Sequence, residues 1–163
     1  MGEGTPHQIA SIVRGHAAMH TQLWLRLRAI TEPELDWPIH PHANTVRWIV
    51  SHLLFVEVWT ADMLEGSGTY LKNQDPKRYE VQDLRLIRTQ YRSAFVRTQR
   101  NMLALRTEDL DREIDMLGVM TVPLLPVLEN HVHHAAGHMY QIRFIRGTYA
   151  REHGTDKSAF DEW

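Results

Sequence analysis

The stretch Glu129-Asn130-His131-Val132-His133-His134-Ala135-Ala136-Gly137-His138-Met139-Tyr140-Gln141 carries four of the eleven histidines of a chain that has no cysteine. Read as a helix, it sets His134 and His138 one turn apart on one face, because residues i and i+4 differ in direction by only about 40°. His131 falls one turn earlier on that face, and His133 points away. Two imidazoles at i and i+4 suit a single transition-metal ion, as in the metalloprotease helix motif. A catalytic zinc usually takes three protein ligands and keeps one position open, so a third ligand is expected elsewhere in the chain.

Working outward, Thr121-Val122-Pro123 reads as an N-cap with proline in the first turn of this last helix, and Pro126 is close enough to its start to be tolerated. Leu125, Leu128, His131, His134, His138, Gln141, Ile142 and Ile145 give it an inner face, and it is expected to run to about Tyr149. At the other end of the chain, Thr5-Pro6 reads as an N-cap and first helical position. From there Ile9, Ile12, Val13, His16, Met19, His20, Leu23, Trp24, Leu27 and Ile30 recur at helical period over about residues 6–30. Pro33, Pro38 and Pro41 are expected to keep the following dozen residues out of regular helix.

Asn44 is the expected cap of a second helix, closed near Glu65 by Gly66 in a left-handed C-cap. Trp48, His52, Phe55, Val56 and Trp59 share one face of it, which turns His52 inward, where an imidazole needs a polar partner. His52 is therefore the expected third ligand. Residues 67–80 read as a polar connection long enough to form a lid. A third helix is expected from about Gln82 to Arg106, with Leu84, Ile87, Tyr91, Phe95, Thr98, Met102 and Leu105 inward. Arg85, Arg88 and Arg92 beside that stripe read as a solvated face. After a connection with a turn near Gly118 comes the last helix, and the tail from about residue 151 is polar until Phe160 and Trp163.

The chain has 163 residues, 43% hydrophobic and 23% charged, with a formal charge of -2. This fits one domain spanning residues 1–163 with a sizeable core, and excludes disordered and fibrous classes. The charge gives no general attraction to nucleic acid or acidic membranes, and no apolar run is long enough to span a bilayer. A small-molecule site in a cytoplasmic protein is the expectation. Without cysteine, the ordinary metal ligands are His, Asp and Glu. Four long helical patterns and no convincing two-residue alternation point to an all-α four-helix bundle, a fold that places metals between facing helices.

The chain resembles the DinB-like, or YfiT-like, superfamily of metal-dependent enzymes over nearly its whole length. The resemblance rests on Trp37-Pro38, on Asn44-Thr45-Val46-Arg47-Trp48-Ile49-Val50-Ser51-His52-Leu53-Leu54 with Glu57 just after, and on His134-Ala135-Ala136-Gly137-His138-Met139-Tyr140-Gln141. It implies an up-down-down-up bundle and one divalent metal held by His52, His134 and His138, with Gln141 matching the glutamine of the family's motif. Members often read Arg-Gly where this chain has Met139-Tyr140, and often carry His where it has Asn130. The resemblance further implies hydrolysis, thiol S-transfer with a low-molecular-weight thiol, or isomerisation, and homodimers are common among members.

Three neutral imidazoles with open positions suit zinc, and also nickel, iron, manganese or cobalt. Gln141, Asn130 and His131 are candidates for orienting ligands or substrate. Glu57, about 140° around its helix from His52, reads as a surface or ligand-orienting carboxylate rather than a ligand. His16 and His20 form another i, i+4 pair, read as core packing or pocket lining in preference to ligation. A different class of function, a stress-response or binding module with a structural metal or none, would show a closed site and a thermal melt unmoved by chelator.

Overall fold

The computed structural model describes residues 6–66, 83–116 and 120–155. Thr5, the lid-like connection, the turn near Gly118 and the tail with Phe160 and Trp163 lie outside the described residues. Four long helices, a one-turn helix, a 3-10 turn at Thr107–Asp109 and a two-stranded hairpin make up the described residues. Helix α1 (His7–Arg26) follows Pro6, which occupies the N-cap position without a side-chain bond. It ends four residues before the expected Ile30, and the chain turns through Ala29, whose φ is 54°. The carbonyls freed by that early end are not left to water. Arg146, 2% exposed, donates from Nη1 to the oxygens of Arg26 and Arg28.

Helix α2 (Glu32–Leu35) corrects the expectation that the prolines exclude helix here. Pro33 sits in the first turn, where no N–H is needed, and the Thr31 hydroxyl accepts from the Glu34 N–H at 3.4 Å. Helix α3 (Val46–Leu64) is capped by Thr45 rather than Asn44, the Thr45 hydroxyl accepting from Trp48 N at 3.1 Å. Gly66 follows it at φ 75°, as the sequence requires of a left-handed helix end. Helix α4 (Leu84–Leu103) is capped by Asp83, which accepts from Arg85 N at 2.6 Å.

A hairpin of β1 (Glu113–Met116) and β2 (Met120–Pro123) precedes helix α5 (Leu124–His153), in the register Ile114 with Val122 and Asp115 with Thr121. The sequence reading found no strand, and it placed Thr121 at the helix cap. Two four-residue strands are too short to show a period, and only Ile114 is fully buried, with Met116 and Val122 packing partly against the same core. The turn just before the hairpin caps the helix by backbone instead: Leu124 and Leu125 donate their free first-turn N–H groups to the carbonyls of Arg112 and Leu110 at 2.9 and 3.1 Å. At the other end Gly154 terminates α5 with φ 63°.

Helices α1 and α3 each pack against both α4 and α5, so α1 stands diagonally across the bundle from α3, and α4 from α5, while α3 and α4 are neighbours. The core falls into two apolar halves. One gathers Leu23, Leu53, Leu54, Ile87, Met139 and Ile142; the other gathers Ile9, Ile12, Met63, Met102, Leu124 and Leu128. Between them along every helix lies a buried polar layer: His16 on α1, Glu57 and Thr60 on α3, Thr98 on α4 and His131 on α5. Among the described residues, no helix is long and apolar enough to cross a membrane.

Candidate metal centre

The buried face of α3 is Val46, Ile49, Val50, Leu53, Leu54, Glu57, Thr60 and Ala61. Of the Trp48, His52, Phe55, Val56, Trp59 stripe only Trp59 is buried, the other four bordering the core instead of filling it, and His52 is half-buried. Helix α3 is apolar nearly all round, so its sequence offers two competing stripes, and packing selects the one that carries Glu57. On α5 the buried face is Leu124, Val127, Leu128, His131, Ala135, Met139, Ile142, Ile145, Arg146 and Ala150. His134 and His138 stand at its edge, also half-buried, facing the flank of α3.

These two edges bring the three expected ligands together. Nε2 of His134 lies 3.1 Å from Nε2 of His52 and 3.0 Å from Nε2 of His138. A ring nitrogen carries either one proton or one in-plane lone pair, so it makes one good hydrogen bond in that plane. His134 Nε2 has two imidazole neighbours at bonding distance, and hydrogen bonding satisfies one of them at most. A cation at the point where the rings converge would take all three lone pairs, and ligands about 2.1 Å from one ion stand about 3.0–3.4 Å apart. The residues fit such an ion.

The surroundings fit it as well. His138 Nδ1 donates to Gln141 Oε1 at 2.8 Å, which fixes the tautomer and leaves the Nε2 lone pair free. Trp48 stacks on His52 with ring centres 5.0 Å apart and planes within 10°. Burial, then the neighbouring rings of His138, His52 and His131, lowers the pKa of His134 to about 4, and burial followed by His138 lowers that of His52. Both rings are thus neutral at pH 7, the form that binds a metal. Asn130 is exposed on α5, and among the described residues no hydrogen bond joins it to the three histidines.

A second group lies in the polar layer. Glu57, which the sequence reading took for a surface or ligand-orienting carboxylate, has no exposed surface, and its Oε2 is 2.9 Å from His16 Nε2 and 3.2 Å from His131 Nε2. In each of the two groups, His52–His134–His138 and His16–Glu57–His131, one donor atom per residue lies within 4.8 Å of the others, so each can hold a metal ion by spacing. His16 is in the core as expected; His20 stacks on Phe95 at 4.0 Å and accepts from Trp24 Nε1 at 3.1 Å. The signal for Glu57 was present in the sequence: it is the one carboxylate between Val46 and Ala61 and has Leu53, Leu54, Thr60 and Ala61 at helical spacing on either side.

The sequence model of the DinB superfamily matches residues 16–142, which takes in both groups. The chain belongs to the DinB superfamily. Among solved structures, a DinB-like protein, YjoA from Bacillus subtilis, is similar over 93% of this chain and 95% of its own, with a TM-score of 0.64 at 15% identity. That likeness shows a DinB fold. No curated protein sequence matches the chain.

Proposed function

We propose that this DinB-superfamily protein is a metal-dependent enzyme that uses one divalent ion, held by His52, His134 and His138, for hydrolysis or thiol transfer on a small molecule. The observation that carries the reading is the convergence of three Nε2 atoms on one point, with His134 Nε2 at 3.0 and 3.1 Å from its neighbours. When bound, the ion would supply Lewis acidity at coordination positions that the protein does not fill. The chain's own residues do the rest of the preparation. Gln141 orients His138, Trp48 backs His52, and the half-buried setting of all three rings leaves the group in reach of solvent and substrate.

Zinc heads the proposed ions, with nickel, iron, manganese and cobalt behind it, since imidazole suits all five. The test is elemental analysis of protein purified without chelators, followed by zinc titration of the stripped protein. About one ion per chain is expected, lost in His52→Ala and in His138→Ala. Hydrolysis of small esters and amides and consumption of a low-molecular-weight thiol are then compared between loaded and stripped protein. A chain that takes up no metal and whose melting is indifferent to zinc and nickel refutes the proposal.

A further inference from the structure

The buried group below the three histidines has its own proton inventory, and the hydrogen bonds allow it to be counted. Gln99 Nε2 is 3.1 Å from the Val13 carbonyl oxygen and 2.8 Å from His16 Nδ1. The carbonyl can only accept, so the atom facing it is the amide nitrogen, and the same nitrogen donates its second proton to His16 Nδ1. His16 therefore keeps a lone pair on Nδ1 and its proton on Nε2, which donates to Glu57 Oε2 at 2.9 Å. To offer Nε2 to a metal, His16 would have to carry its proton on Nδ1, against an N–H of Gln99.

His131 is fixed from the other side. The Thr60 hydroxyl donates its single proton to the Val56 carbonyl at 2.9 Å, so towards His131 Nδ1, 3.2 Å away, it is an acceptor. Nδ1 of His131 is then protonated. Its Nε2 lies 3.2 Å from the same Glu57 oxygen, a contact that needs a proton between the two atoms, and that proton rests on the imidazole, the stronger base of the two (about 6.5 against about 4.3 for a free carboxylate). Charge balance gives the same count. A lone carboxylate with no exposed surface is costly, whereas a carboxylate beside one imidazolium is neutral as a pair.

We propose that His16, Glu57 and His131 form a proton-loaded ion pair and not a second metal site: His16 neutral with its proton on Nε2, Glu57 ionised, and His131 doubly protonated. Burial pushes the Glu57 carboxyl up, but His131 and the bonds from both histidines hold it below the usual carboxylate range. Burial, then the nearby Glu57, raises the pKa of buried Tyr91, so its hydroxyl stays protonated and adds no second negative charge to the layer. His131 is thus a positioning residue. It holds Glu57 between α3 and α5 and keeps a proton in the core one turn before His134. This assignment stands whether or not the outer histidines bind an ion.

The test is a two-bond proton–nitrogen correlation spectrum of the full chain with ring-15N histidine, recorded at pH 8, where an unperturbed imidazole of pKa about 6.5 is about 97% neutral. Expected are two protonated ring nitrogens for His131 and the Nε2–H tautomer for His16, with both unchanged when zinc is added to one equivalent. Thr60→Val removes the acceptor at Nδ1 and should leave His131 with the Nε2 proton alone; Glu57→Gln should remove its extra proton. Should Glu57→Gln fail to fold, the wild type and Thr60→Val still decide. A neutral His131 in the wild type overturns the proposal, as does a second equivalent of zinc that strips the proton from His16 Nε2. A chain that binds no zinc yet shows a doubly protonated His131 upholds this assignment and refutes the metal reading of the outer group.

Discussion

Acidification of the metal-free protein should weaken the fold through His134 over a definable window. The folded-state pKa of His134 is lowered from the ordinary 6.5 to about 4 by burial and then by the neighbouring imidazoles. Above pH 6.5 neither the folded nor the unfolded chain binds a proton at this ring, so it adds no pH dependence. As pH falls from 6.5 to about 4, the unfolded chain takes up a proton that the folded ring refuses, and stability drops; below about 4 the penalty is constant. A gap of about 2.5 units corresponds to about 3.4 kcal/mol at most. Because the ring is only half-buried, solvent screening reduces this to about 1–2 kcal/mol. The assay is urea denaturation of chelator-treated wild type and His134→Gln at pH 7.5 and 4.5. Glu57, whose carboxyl is held below the usual range, gives stability that is lost only as pH falls through that depressed pKa, and it is present in both proteins. The wild type should lose about 1–2 kcal/mol more than the variant between the two pH values. Equal losses would refute the placement of His134 in a desolvated cluster of imidazoles.

Gln141→Leu should leave the fold intact and weaken zinc binding by about 10- to 100-fold in a competition titration, because His138 loses the acceptor that fixes its tautomer. Arg146→Met should cost about 3–5 kcal/mol in denaturant unfolding, since it leaves buried Glu34, bonded to Arg146 Nε at 2.5 Å, without its cation; the double variant with Glu34→Gln should lose less than the sum of the singles. Ile142→Ala, fully buried in the half of the core nearer the three histidines, should cost about 2–5 kcal/mol by the same assay. Thr45→Ala should cost about 1 kcal/mol, whereas Asn44→Ala should fall within the noise of the measurement.

The positions where reading and structure part company share a cause. A helix that is apolar on one side only, such as α4, announces its inner face, and Ile87, Tyr91, Thr98 and Met102 are buried as the stripe requires. Helix α3 is apolar almost all round, so its period is ambiguous, and the stripe through Trp48 and His52 competes with the one through Leu53 and Glu57. The hairpin has no period to read because four residues cannot establish alternation, and the capping of α5 by the carbonyls of Leu110 and Arg112 just before it is a backbone role with no side-chain signature. Nothing in the local sequence singles out Arg146 on α5. Its burial follows from Glu34 and from the open carbonyls of Arg26 and Arg28, more than a hundred positions earlier.

Local chemistry alone was enough for the helical content, the glycine stop at Gly66, and the pairing of His134 with His138, because each depends on residues within one or two turns of chain; the last helix runs to His153, four residues beyond the expected Tyr149. The choice of His52 as the third ligand came from the apolar residues around it on its helix and agreed with the family pattern, and the meeting of the rings is a fact of how α3 and α5 lie together. The apolar neighbours of Glu57 along α3 signal its burial, but tertiary packing alone decided that it is the centre of a buried polar layer. A carboxylate's environment is set by what faces it across the bundle, here His16 from α1 and His131 from α5, and no window along the sequence contains all three.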